Sequence, residues 1–191
     1  LSRPFYLFTT LWLAAFVFFL VHGLHRVPYE DDWDILYFVR WVDQGDATFA
    51  LLFEQFSGIH RVVLGRLLLT IEYLAFDGTG YFPNIVSFIS LLCSFLLFIK
   101  NIQLTGLSPK QEIALYFIGI LVTFSCSQLF IFNYTWACFQ HPQPIFLSIL
   151  CFHLINKDVS AGSTIGITHV LQYLFLLGLA CIGTAAGLFA I

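Results

Sequence analysis

The stretch Tyr29-Glu-Asp-Asp-Trp-Asp34 places four carboxylates, Glu30, Asp31, Asp32 and Asp34, within five positions. Like charges this close repel, and each holds a proton more readily unless a cation stands near. At a membrane surface such a group suits a general base acting on a hydroxyl or an amine. Asp31 and Asp32 are the candidates for that role. The same cluster could hold a divalent cation beside a phosphate, and Asp34 is a candidate for substrate binding. It also reads as a solvated loop whose aspartate caps a helix and meets its positive end.

A second constellation, Glu54-Gln-Phe-Ser-Gly-Ile-His-Arg61, is followed by Arg66. A histidine and two arginines at the start of an apolar segment suit phosphate recognition, because guanidinium grips phosphate oxygens in pairs. Glu54, His60, Arg61 and Arg66 are the binding candidates. Arg61 and Arg66 stand five residues apart, so they do not share one helix face. Their bland reading is snorkelling of long cationic side chains at an interface. A third polar group, Trp136, Gln140, His141 and Gln143 with Asn133, sits at a proline-marked break. It reads as an ordinary inter-helix loop, or as the wall of a cavity shared with the acidic stretch. Glu72, an acid inside an apolar segment, is either functional or reaches the headgroups.

The elements that carry these residues are almost wholly apolar. Of 191 residues 59% are hydrophobic, 23 are Phe and only 10% are charged. Soluble domains carry about a quarter charged residues, so a bilayer is the solvent this composition calls for. The net charge of −3 and the absence of a basic run exclude nucleic acid as a natural partner. The five cysteines show no metal or redox spacing. No Gly-rich phosphate loop is present, and no cofactor is required beyond that candidate divalent cation.

The expected fold is all-α, a polytopic bundle of about six membrane spans. Segments of about 20 apolar residues cross a bilayer. The candidates are Pro4 to Gly23, Ile59 to Phe76, Phe82 to Ile99, Ile113 to Phe132, Pro144 to Ile155 and Ile165 to Ile191. Asp77-Gly-Thr-Gly80 predicts a turn, and Ser108-Pro-Lys-Gln111 predicts a capped helix start. Between the first two spans, residues 24–57 hold seven of the eleven acids. Two short interfacial helices fit there, one with a stripe of Trp33, Leu36, Tyr37 and Trp41, the other with Phe49, Leu52, Phe53 and Phe56. The chain has no initiating Met and stops at Ile191 in an apolar run. The expectation is a single transmembrane domain, the N-terminal part of a longer protein.

With six alternating spans, the side bearing the acidic stretch also bears Arg26, Arg40, Arg61, Lys100, Lys110 and Lys157. Only Arg3 lies opposite, so the positive-inside rule puts the acids in the cytoplasm.

A first span, the acidic pair Asp31-Asp32, two interfacial helices and a His60-Arg61 entrance with Arg66 together resemble the GT-C superfamily of membrane glycosyltransferases. The Phe139-Gln140 to Gln143 stretch and the terminal Gly183-Thr-Ala-Ala-Gly-Leu-Phe-Ala190 are similar to uncharacterised bacterial proteins of that type. Those proteins carry Asn-Glu-His-Arg where this chain has Ser57-Gly-Ile-His-Arg61, with Glu54 the nearest acid. The resemblance implies sugar transfer from a polyprenyl-phosphate carrier in a bacterial inner membrane. Asp31 or Asp32 would be the base, and His60, Arg61 and Arg66 would stabilise the departing phosphate. It also implies an acidic loop facing away from the cytoplasm, against the charge count. A transporter or channel and a non-enzymatic scaffold are the competing readings. The first predicts ionisable residues at matching depth in several helices, and beyond Glu72 the segments have almost none.

Overall fold

The computed structural model describes residues 3–23, 32–54, 63–125, 128 and 141–183. Every regular element among them is helical: α1 Arg3–Gly23, α2 Asp32–Gln44, α3 Phe49–Leu52, α4 Val63–Phe76, α5 Tyr81–Gln103, α6 Pro109–Thr123, α7 Pro142–Ser160 and α8 Ile167–Gly183. Two of them are long and apolar enough to cross a membrane, α1 over Arg3–His22 and α5 over all 23 residues.

Helix α5 is the central post. Its start is set by the predicted turn, in which Asp77, Gly78 and Gly80 all take positive φ. Glycine enters that region without steric cost. At its far end Lys100 sits in the last turn, where the helix dipole favours a cation. Helix α6 begins as its sequence prescribes. The Gln111 side-chain oxygen accepts from the Ser108 backbone N–H at 3.1 Å and from its hydroxyl at 2.7 Å. The apolar segment predicted to reach Phe132 leaves helical geometry at Phe124 instead. The Phe124 carbonyl, freed from the ladder, accepts the Trp12 indole N–H at 2.9 Å.

Side-chain contacts fix the direction of each helix. Phe5, Ile102 and Tyr116 form one cluster, and Phe16, Leu91, Phe95, Ile120 and Phe124 form another. Helix α1 therefore runs with α6 and against α5. Gln143 bonds Ser87 and His153 bonds Asn101, so α7 runs with α5. The Cys151 thiol donates to the Tyr173 carbonyl at 3.7 Å and the Tyr173 hydroxyl donates to Asp158. Leu179 lies beside Phe146 and Leu147, so α8 runs back. Thus α1, α5, α6, α7 and α8 alternate in direction.

Helix α4 breaks the expected alternation. It runs against α5 and hence in the same sense as α1, with Leu69 packed on Phe82 and Val86. The strict alternation of six helices expected from the sequence is therefore absent at α4, the described part of the segment from Ile59 to Phe76. Hydropathy finds such a segment but assigns it no direction. Of the expected spans, those from Pro4 and from Phe82 fall on α1 and α5, the two helices long and apolar enough to cross a membrane, and the others fall on shorter or less apolar helices. Helix α7 is longer than predicted, and α8 stops being described after Gly183.

The candidate functional site and its surroundings

Arg66 organises the region below α2. Its side chain is 7% exposed. Nη1 donates to the carbonyls of Leu51 at 2.8 Å, Leu52 at 3.0 Å and Glu54 at 2.7 Å. A four-residue helix cannot satisfy its own last carbonyls, and a cation there also meets the negative end of the helix. Arg66 is thus the C-terminal clamp of α3, whose start is capped by Thr48 accepting the Leu51 N–H at 3.3 Å. The guanidinium also lies 5.7 Å from the centre of the Phe38 ring, within cation–π range. Nε is buried with no hydrogen-bond partner among the described residues.

Phe38 and Val39 form the buried face of α2. Of the predicted stripe, Leu36 packs on Leu69 of α4 and Trp41 is half-buried, while Tyr37 is 58% exposed. Burial on α4 selected the face carrying Phe38, one step around from Tyr37. Asp32 and Asp34 stand in the first turn of α2. From Asp32 to Phe38 the rise is about 9 Å, so the acidic start lies within two turns of the residue facing Arg66.

A groove of about 630 Å³ opens beside this clamp, between α3, α4, α5, α7 and α8. Leu52, Phe53, Val63 and Leu67 separate it from Arg66, while Ser90 and Gln143 supply its polar lining. Gln143, in the first turn of α7 between two buried prolines, donates to the Ser87 hydroxyl at 3.3 Å. Of the polar group at the break before α7, Gln143 lines this groove, while Asn133, Trp136 and Gln140 lie outside the described residues. The walls from Val63, Leu67 and Phe146 were not singled out by sequence, because nothing distinguishes them from lipid-facing apolar residues. Phe49, Leu52 and Phe53 were noted as a stripe, and they do line this groove.

Glu72 is fully buried, so of its two sequence readings the one in which it reaches the headgroups does not hold. Its Oε1 accepts the Gly80 N–H and, at 3.3 Å, the Thr79 hydroxyl. Folding the α4–α5 turn back onto the helix brings the carboxylate to the orphan donors at the start of α5. Oε2 has no hydrogen-bond partner among the described residues.

The candidates therefore divide in three. Gln143 lines the groove, Arg66 lies outside its lining, and Glu54 joins Arg66 through its main chain. Asp32 and Asp34 begin the helix packed on α4. Asp31, His60, Arg61, Trp136 and Gln140 lie outside the described residues. Among the described residues, no group of three or more His, Cys, Asp or Glu side chains could hold a metal. No protein-family model, curated protein or solved structure matches the chain.

Proposed function

We propose that the chain is the membrane domain of a multi-pass glycosyltransferase of GT-C type, moving a sugar from a polyprenyl-phosphate carrier to a hydroxyl or amine acceptor. The observation that carries this reading is the pairing of a 630 Å³ apolar groove with a buried guanidinium behind its wall. An amphiphile with a long apolar tail and an anionic head fits such a pairing. The tail would lie along Phe53, Leu67 and Phe146. The phosphate would face His60, Arg61 and the Arg66 nitrogens not spent on α3.

In this mechanism Asp31 or Asp32 removes a proton from the acceptor as its oxygen or nitrogen attacks the anomeric carbon. The bond from that carbon to the phosphate oxygen breaks in line, the configuration inverts and polyprenyl phosphate leaves. Cationic donors stabilise the charge that grows on the leaving oxygen. A divalent cation held by the acidic cluster could share that task.

Five alternating helices support a membrane placement that the six-span count did not give. With α1, α5, α6, α7 and α8 as the crossings, α2, α3 and α4 together form one excursion from a single side. That side carries nine acids by sequence, Glu30 to Asp77, against Arg26, Arg40, Arg61 and Arg66. The opposite side carries Arg3, Lys100, Lys110 and Lys157 with only Glu112 and Asp158. The positive-inside rule then puts the lysines in the cytoplasm and the acids outside, in agreement with the resemblance.

The test is sugar transfer by the purified full-length protein from a polyprenyl-phosphate sugar donor. Wild type should transfer, and Asp31→Asn or Asp32→Asn should lose at least about a hundredfold, the lower end of a general-base contribution. Full activity in both single variants and in the double variant would remove the assignment.

A further inference from the structure

We propose that α5, α6 and α7 form a second site, at the end of the bundle opposite α2, which holds an anionic phospholipid. Two observations of different kind meet there. The first is an apolar groove of about 350 Å³. Helices α6 and α7 both pack on α5 and leave a furrow between them, walled by Leu91, Phe98, Val122, Ile145 and Ile149. Val122 is 64% exposed, so the furrow opens onto the surface that a bilayer would touch.

The second observation is the polar group that lies beyond the furrow on the same two helices. On α5 the wall residues Leu91, Ser94 and Phe98 continue at the same spacing to Asn101. On α7 Ile145 and Ile149 continue to His153 and Asn156. His153 Nδ1 and Asn101 Oδ1 meet at 3.1 Å, and Asn156 donates to the same oxygen at 3.5 Å. Lys100 and Lys157 are exposed beside this bridge, and both ammonium charges act on the His153 imidazole. The nearest acid in sequence, Asp158, is turned away toward the Tyr173 hydroxyl of α8.

An apolar furrow ending at two lysines and an amide cluster matches one acyl chain and one phosphate headgroup. Basic pockets between membrane helices on the cytoplasmic side bind anionic lipid heads in this way. Lys100 and Lys157 lie on the side that the charge count makes cytoplasmic. The inference rests on the proposed bilayer placement but not on sugar transfer.

The experiment measures retention of phosphatidylglycerol and of phosphatidylcholine by the purified full-length protein, using native mass spectrometry from detergent. Wild type should retain phosphatidylglycerol about tenfold more strongly. The double variant Lys100→Gln, Lys157→Gln should lose that preference, and Val122→Trp, which fills the furrow from its exposed side, should weaken both lipids. Asp32→Asn should leave the preference intact, which separates this site from the transfer reaction. Equal retention of both lipids by wild type, or an unchanged preference in the double lysine variant, would overturn the proposal. So would competition by glycerol phosphate as effective as the lipid, because the furrow would then contribute nothing.

Discussion

Arg66 reaches Glu54 through the main chain: Nη1 donates to the Glu54 carbonyl at 2.7 Å, while the Glu54 residue itself lies exposed. Two residues nominated for ligand contact are thus joined first by a structural bond. That bond fixes where α3 ends and where the groove wall formed by Leu52 and Phe53 stands. Arg66 can serve a phosphate only with the nitrogens that this clamp leaves free.

Arg66→Met should therefore destabilise the fold whatever the ligand. It strands three carbonyls that now share a charged donor, and hydrogen bonds to charged groups contribute about 1.5–3 kcal/mol each. The expected loss is about 2–4 kcal/mol, read as a lower midpoint in thermal unfolding of the detergent-solubilised protein. Arg66→Lys should recover only part of it, because an ammonium lacks the planar fork. A midpoint unchanged in Arg66→Met would mean that α3 is held by something else.

Glu72 tests whether a buried acid in an apolar helix is structural. Glu72→Gln keeps an oxygen for the Gly80 N–H and should change stability by less than about 1 kcal/mol. Glu72→Ala leaves that buried donor unmet and should cost about 1–3 kcal/mol. Equal stability of the two variants in the same unfolding assay would refute the turn-anchor role.

The α5–α6 contact is set by Gly119. A Cβ there would stand 2.5 Å from Phe98 Cε1 and 3.3 Å from Phe95 Cε2. Gly119→Val should destabilise by about 1–3 kcal/mol, the usual cost of overpacking. Combining it with Phe98→Leu should restore part of the loss, and purely additive effects would show that the two positions do not compete for space.

The groove makes its own kinetic prediction. Leu67→Trp narrows the space between α4 and α3 without touching the acids. It should raise KM for a polyprenyl-phosphate donor several-fold and leave kcat within about twofold, because a tail held equally before and during reaction affects binding alone. A fall in kcat with KM unchanged would place the tail elsewhere.

The parts of this fold written in local chemistry were legible in the sequence. The turn at Asp77 to Gly80, the start of α6 at Ser108 and the bounds of α5 follow from glycine, capping and hydropathy. What packing decides was not legible. Phe124 ends α6 within a segment whose hydropathy continues beyond it, where Trp12 takes its carbonyl. Helix α2 buries Phe38 where the Arg66 guanidinium lies over its ring, and Leu36 packs on Leu69. The direction of α4 has no trace in hydropathy, which reads the same from either end. The candidate site divides along the same line. Gln143 was found because a polar residue between prolines is conspicuous, whereas Val63 and Leu67 resemble every other apolar residue.

The claim on which the account turns is that α2, α3 and α4 form one excursion from a single side of the membrane. Single cysteines at Asp46, Thr79 and Thr105 in a cysteine-free background, probed with an impermeant maleimide in intact cells, test it directly. The account predicts that Asp46→Cys and Thr79→Cys label from outside, and that Thr105→Cys labels only after the membrane is opened. Labelling of Thr79→Cys from the side opposite Asp46→Cys would show that α4 crosses the bilayer and would contradict the account.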